Sequence, residues 1–118
     1  TKQLGDARDA QRRSDVNTVL NAVYQYAIDN NGALPSDIPT GSANALEVCS
    51  SDSTDCDSSG VDLDVLTGSY LVSIPTDPQA ATSATGSDYM IYQSGGSNSR
   101  VTVYASTYEG DSSITVTR

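Results

Sequence analysis

The stretch that decides the fold is residues 16–29, which read VNTVLNAVYQYAID. Its apolar residues lie three and four apart, at positions 16, 19, 20, 23, 27 and 28. This spacing predicts an amphipathic α-helix with one buried face. Residues 30–32, Asn-Asn-Gly, favour the left-handed backbone that ends a helix, and Pro35 prevents it from resuming. Apolar residues thin out before Val16, so we predict a helical stem over residues 1–31 whose outer part buries less surface.

After residue 88 the spacing of apolar residues changes from helical to alternating. Side chains alternate over residues 89–93, 101–104 and 114–117, which predicts three β-strands. The short connections between them favour an antiparallel meander. We therefore predict an α+β fold, in which a long amphipathic N-terminal helix packs on a small antiparallel sheet of three to four strands over residues 89–118. A sheet with one solvated face accounts for the Ser and Thr residues in the strands.

Residues 32–88 connect the helix to the sheet and are predicted to be mainly loop, because Pro, Gly, Ser and Asp interrupt them. An apolar patch at residues 43–48 favours a turn of helix, and a second short helix is predicted over residues 62–66. Cys49 and Cys56 lie seven residues apart in a polar stretch, which is typical of a disulfide that closes a small loop in an oxidising compartment. Two unrelated free thiols are the alternative.

The composition restricts the classes of function. Leu, Ile and Val make up 22 of the 118 residues, Phe is absent and the net charge is −9. Chains with so few large apolar residues and so high a net charge are at the limit of forming a hydrophobic core. No histidine is present, which excludes Ser-His and Cys-His catalysis and imidazole metal sites. A hydrolase that uses paired acids is the remaining enzymatic alternative, but Tyr is the only aromatic residue type available as a sugar platform, and we expect no enzymatic activity. Residues 1–13 contain four basic and two acidic residues, a net charge of +2. Residues 14–118 contain two basic and 13 acidic residues, a net charge of −11. Such a body repels nucleic acid and anionic lipid.

Four segments occur in an order that is typical of one protein superfamily. They are the polar helix start at residues 6–15, the helix end at residues 26–32 followed by Leu34-Pro35, the pair Tyr70-Leu71 leading into Ile74-Pro75-Thr76-Asp77-Pro78, and the strand at residues 89–92. Together they resemble the soluble region of a type IV pilin or a type II secretion pseudopilin. The Ile-Pro-x-Asp-Pro turn between a long helix and a short sheet is the most specific of the four.

The resemblance implies a segment before Thr1. Members of the superfamily carry an apolar half-helix of about 20 or more residues, with an early Glu and a leader cleavage site before it. If this chain follows them, that half-helix anchors the subunit in the membrane before assembly and packs in the centre of the filament afterwards.

The resemblance also implies a function. Residues 1–118 would form a single pilin-like domain, a structural subunit of an extracellular filament on a prokaryotic cell surface. Its partners would be other copies of itself and related pilins in a homopolymeric filament, the assembly machinery, and the membrane through the segment before Thr1. The outer loops would serve adhesion, motility, or contact with DNA or a host surface. The alternatives are a pseudopilin of a type II secretion system and a minor pilin acting as an adhesin or ligand-binding tip module.

Basic residues of the stem are the candidate assembly residues under this resemblance. They would lie near lipid headgroups or near acidic groups of neighbouring subunits, and a solvated helix face is the alternative. These residues are Lys2, Arg8, Arg12 and Arg13.

Calcium is the one metal to weigh, because major pseudopilins of the superfamily bind it. Asp55 and Asp57 begin a stretch that matches the first half of an EF-hand loop, but Leu66 stands where the bidentate Glu is required. Asp77 and Asp88, which flank the loop leading into the sheet, are the second weak candidate. A solvated acidic loop and, for Asp77, a backbone cap of its own turn are the simpler interpretations. We therefore expect no cofactor.

Overall fold

A computed structural model of the chain describes residues 1–50, 60–81 and 85–118. The long helix α1 spans Lys2–Asp29, and the Thr1 side chain caps its start. After it the backbone becomes left-handed at Asn31, with φ 59°, and at Gly32, with φ 88°. The Gly32 N–H also donates to the carbonyl of Ala27 at 2.7 Å. The predicted helix and its predicted end are confirmed.

Four strands form one antiparallel sheet in the order β1-β2-β3-β4. They are β1 (Leu46–Cys49), β2 (Gly86–Gln93), β3 (Val101–Ala105) and β4 (Thr115–Thr117). The predicted meander corresponds to β2, β3 and β4. The α+β fold, a long N-terminal helix packed on a small antiparallel sheet, is confirmed.

The region before the first cysteine differs from the prediction. The turn of helix expected at residues 43–48 is wrong, since a 3-10 turn covers only Ser42–Asn44 and the chain then continues as β1. The edge of β2 offers β1 a row of backbone partners, and Val48 is fully buried there. Tertiary pairing therefore outweighs local preference. The helix expected at residues 62–66 is shorter, a 3-10 turn at Asp64–Leu66.

The core lies between α1 and the sheet, with α1 mainly over β3 and β4. Its members are fully or almost fully buried. They include Val16, Val19, Leu20 and Val23 from α1, Tyr89, Ile91, Val101 and Val103 from the strands, and Val61, Leu63, Leu66 and Ile74 from the connecting segment. The predicted helix stripe is confirmed except at Ile28, which is 72% exposed. Successive helical residues lie about 100° apart, so burial of Ala27 turns Ile28 outward.

Candidate functional site

A buried arginine holds the first half of α1 to the rest of the protein. Arg12 is fully buried, and all five of its guanidinium N–H groups donate hydrogen bonds. Two reach the carboxylate oxygens of Asp77 at 2.8 and 3.1 Å, and single bonds reach Asp9 at 2.8 Å, Glu109 at 2.7 Å and Gln79 at 2.7 Å. We call these five residues the Arg12 cluster. Its central charge is completely paired and bonded, as a buried charge must be.

Asp9 ties the helix to the loop before β4. Besides the Arg12 bond, its carboxylate accepts from the backbone N–H groups of Glu109 at 3.0 Å and Gly110 at 2.7 Å. Arg8 donates to Glu109 at 2.7 Å. Hydrogen bonds from Arg8 and Arg12 lower the pKa of Glu109 from 4.5 to about 2. Burial alone would raise the pKa of Asp9, but hydrogen bonds from Glu109, Arg12 and Gly110 outweigh it, and that pKa is lowered.

The proline-flanked turn at residues 74–78 presents Asp77 to Arg12. The Asp77 N–H donates to the Ser87 carbonyl at 2.8 Å, and one Asp77 carboxylate oxygen accepts from the Gln79 N–H at 2.8 Å. The backbone cap expected of Asp77 is confirmed. This turn therefore has a defined physical role, because it places a carboxylate under the helix stem.

Two tyrosines orient the second half of α1. The hydroxyl of Tyr89, a buried residue of β2, donates to Asp15 at 2.6 Å, and burial together with this bond raises the pKa of Tyr89. The hydroxyl of Tyr24 accepts from the Val101 N–H at 3.0 Å and donates to the carbonyl of Arg118. With both contacts in place, the rotation of α1 about its axis is set, and so is the face that it turns to solvent.

The residues of α1 on that outward face are all uncharged, and the guanidinium of Arg118 reaches the face at Asn21. The residues of this face are spaced three and four apart and all are exposed, whereas the charged residues of the helix lie on its flanks or its buried side. A row of uncharged helix side chains can be buried against another chain without leaving an unpaired charge on the helix, and the centres of protein interfaces are depleted of charge for this reason. We call it the exposed helix face. It consists of Gln3, Ala7, Ala10, Ser14, Thr18, Asn21, Gln25 and Ile28.

The structure places the four candidate assembly residues in different surroundings. Lys2 is exposed and pairs with Asp6 at 2.9 Å, and Arg13 is exposed. Arg8 is three-quarters buried against Glu109. Arg12 does not fit a role at the surface, because its side chain is fully buried and bonded within its own chain. An assembly contact by these residues stays a prediction for the other three.

The cysteine and calcium candidates fall partly outside the described residues. Cys49 is buried and disulfide-bonded. Its pairing with Cys56 stays a prediction because Cys56 lies outside the described residues, and so do Asp55 and Asp57.

Within the part of the chain that the structure describes, Asp77 and Asp88 do not form a metal-binding group with a third acid. Asp77 is engaged by Arg12, and Asp88 is partly buried with its N–H donating to Glu47 at 2.9 Å. Among residues 1–50, 60–81 and 85–118, no three acidic or cysteine side chains converge as a metal ion would require.

The Arg12 cluster is the feature that sequence reasoning missed, although part of its signal is in the sequence. Asp9 and Arg12 continue toward the N-terminus the three- and four-residue spacing of Val16, Val19 and Val23, so they fall on the buried face of the helix. A charged pair on that face indicates a buried partner. Nothing local points to Glu109, which is 97 residues from Arg12.

Comparisons with known proteins identify no relative. No protein-family model, curated protein or solved structure matches the chain. No helix in the part that the structure describes combines the length and apolar character needed to cross a membrane.

Proposed function

We propose that this protein is a structural subunit of a type IV pilus, a non-enzymatic member of the type IV pilin superfamily that assembles through its N-terminal helix and exposes its sheet and loops at the cell surface. The exposed helix face is the observation that carries the proposal. In a chain with a net charge of −9, a row of uncharged side chains over the full length of a 28-residue helix is a surface suited to burial between subunits.

The attachment of the stem supports the same role. Among the described residues, the first member of the hydrophobic core along the chain is Val16. The contacts that hold residues 2–14 there are the polar ones of the Arg12 cluster and of Arg8. At about 1.5 Å per residue, α1 is about 42 Å long, close to the 46 Å length of the molecule. Because the stem is fixed to the rest of the protein, the direction of the helix in a filament centre would determine the orientation of the outer domain.

The charge distribution sets a condition for assembly. The net charge of −11 on residues 14–118 makes copies repel one another at low ionic strength. Lys2 and Arg13, which are exposed on the stem, would reduce this repulsion by facing acidic groups of a neighbour. We therefore expect assembly to improve with added salt.

Two related functions are the alternatives. A pseudopilin of a type II secretion system would be favoured by calcium-dependent folding, which thermal unfolding with calcium or with a chelator measures. A minor pilin acting as an adhesin or ligand-binding tip module would be favoured by ligand binding to the isolated chain.

The most direct test is the coding sequence upstream of Thr1. We expect an apolar run of about 20 residues with an early Glu and a basic leader before it. A charged or low-complexity stretch at that place would contradict the proposal.

A second test probes the exposed helix face with a matched pair of variants in the full-length protein. Ala10→Glu places a charge on this face, and Ala10→Gln adds a side chain of nearly the same shape without the charge. We expect normal expression of both, and filaments in electron micrographs of cells with Gln but not with Glu. Equal filament numbers for the two variants would refute burial of this face.

A further inference from the structure

A groove runs along the C-terminal half of α1. Its larger part, about 630 Å³ in volume, lies between Tyr24 and Ile28 of the helix, the loop at residues 34–37 and the β2–β3 connection at residues 96–99. A shallower part of about 470 Å³ shares Tyr24, Asn98 and Ser99 with it and continues to Arg100 and Arg118. The volume of the larger part lies in the range of about 300–1,000 Å³ found for small-molecule sites, and the shallower part is an open surface beside it.

The groove has a floor and a wall that are held in place. The Tyr24 hydroxyl is fixed by Val101 and Arg118, so its ring is immobilised where the two parts of the groove meet. On the wall, the Gln93 side chain donates to the Ile38 carbonyl at 2.7 Å and accepts from the Ser99 hydroxyl at 2.8 Å. A rigid groove loses less entropy on binding a ligand than a flexible one does.

The charges at the two ends of the groove are opposite. Arg100 and Arg118 are the only basic residues after residue 13, against 13 acids in the same part of the sequence, and both line the shallow end. The guanidinium of Arg100 makes no hydrogen bond or ion pair with the described residues, and that of Arg118 rests on Asn17 and Asn21. Asp37 lines only the larger part, at the other end.

We propose that this groove binds an acidic sugar, a pyranose bearing one carboxylate such as a uronic acid. Its carboxylate would be bound by Arg100 and Arg118, because a guanidinium fork matches a carboxylate. The apolar face of the ring would lie on Tyr24, as sugar C–H groups pack on aromatic rings, and a hydroxyl would bond to Asn98, which lines both parts of the groove.

The acidity of the surrounding surface selects for a small ligand. A long polyanion such as nucleic acid would extend beyond the two arginines onto a body with a net charge of −11, where it is repelled. A ligand with one negative charge is confined to the arginine end. The inference concerns the isolated chain and does not depend on its assembly into filaments.

The test compares two methyl glycosides by ¹⁵N NMR titration of residues 1–118 with the C-terminal carboxyl group amidated, so that Arg118, whose backbone oxygen accepts from Tyr24, adds no negative charge to the arginine end. Methyl β-D-glucuronide carries the carboxylate, and methyl β-D-glucoside has a hydroxymethyl group at the same position. We expect the glucuronide to shift the amide signals of Asn98, Ser99 and Arg100, and to bind about tenfold or more tightly than the glucoside, the effect of about one charge-assisted hydrogen bond.

Arg100→Gln is the informative variant, and Arg13→Gln is its matched control. Both replace an exposed arginine whose side chain makes no hydrogen bond or ion pair with the described residues, but only Arg100 lines the groove. We expect Arg100→Gln to weaken glucuronide binding about tenfold and Arg13→Gln to leave it unchanged.

Four results would overturn the proposal. They are the absence of shifts at the groove with glucuronide, equal binding of glucoside, shifts of the same size with acetate alone, and tighter binding of a short single-stranded oligodeoxynucleotide at the same amides. Far-UV circular dichroism of both variants establishes that each retains its fold.

Discussion

Replacement of Arg12 by methionine tests how strongly the buried cluster holds the helix stem. Methionine has a similar length but no charge and no donors, so the carboxylates of Asp9 and Asp77, which are 3% and 0% exposed, lose the cation that pairs them. Removal of one partner of a buried ion pair costs about 3–5 kcal/mol. The free energy of unfolding of an ordinary domain is about 5–15 kcal/mol, so we expect the variant to lose a large part of its stability.

The assay is urea unfolding followed by far-UV circular dichroism, with two controls on the same helix. Arg13→Met removes an exposed charge and should change the free energy of unfolding by no more than about 0.5 kcal/mol. Arg8→Met removes another cation bonded to Glu109. Because the Arg8 side chain is 25% exposed to solvent, this variant should lower the free energy of unfolding by at most about 1 kcal/mol. The large effect should therefore be confined to Arg12.

A double-mutant cycle separates the pair from other effects. Asp77→Asn keeps the shape of the turn but removes the charge, and because Asp77 and Arg12 share two hydrogen bonds, the double variant should lose about 1–3 kcal/mol less than the sum of the single losses. If Arg12→Met stays within about 1 kcal/mol of the wild type, the value of an exposed pair, the cluster does not hold the stem as described.

Two further predictions concern the core and the response to acid. Leu20 is fully buried, so Leu20→Ala should lower the free energy of unfolding by about 2–5 kcal/mol. Leu4 is 53% exposed, so the control Leu4→Ala should lower it by less than about 0.5 kcal/mol. Equal losses for the two variants in urea unfolding would contradict the assigned burial. Because the pKa of Glu109 is lowered from 4.5 to about 2, its contribution to stability is complete above the unfolded-state value and is lost as the pH falls through the folded-state value. Glu109→Gln should accordingly flatten the fall in the urea midpoint between about pH 5 and pH 2, and parallel pH profiles for variant and wild type would argue against this coupling.

The elements predicted correctly are those whose signal is local. The helix over Val16 to Ala27 has a periodic apolar face, and its end has residues that accept a left-handed backbone, so a short window of sequence contains the whole argument. The strands β2 and β3 have alternating side chains for the same reason. Strand β1 has no such signal, because its extended conformation depends on the edge of β2, which is about 40 residues away in sequence.

The polar sites depended on contacts that no short window contains. Arg12 belongs by its spacing to the buried face, yet its role follows only when the turn at residues 74–78 and Glu109 are brought to it. The groove likewise combines Tyr24 with Arg100 and Arg118, residues 76 or more positions apart. The spacing of apolar residues along a helix or strand indicates which of its faces is buried. It does not indicate which residue, distant in sequence, will contact that face.

The sequence by itself therefore determined the long helix, its buried face, its end, the antiparallel meander and the division into a basic stem and an acidic body. These follow from periodicity, turn chemistry and charge counts, which are properties of neighbouring residues. The tertiary structure alone decided that Arg12 is a buried hub and not a surface cation, that β1 completes the sheet, and that the two arginines after residue 13 meet at one groove. The physical reason is that pairing of charges and strand edges depends on distance in space, which chain order does not specify.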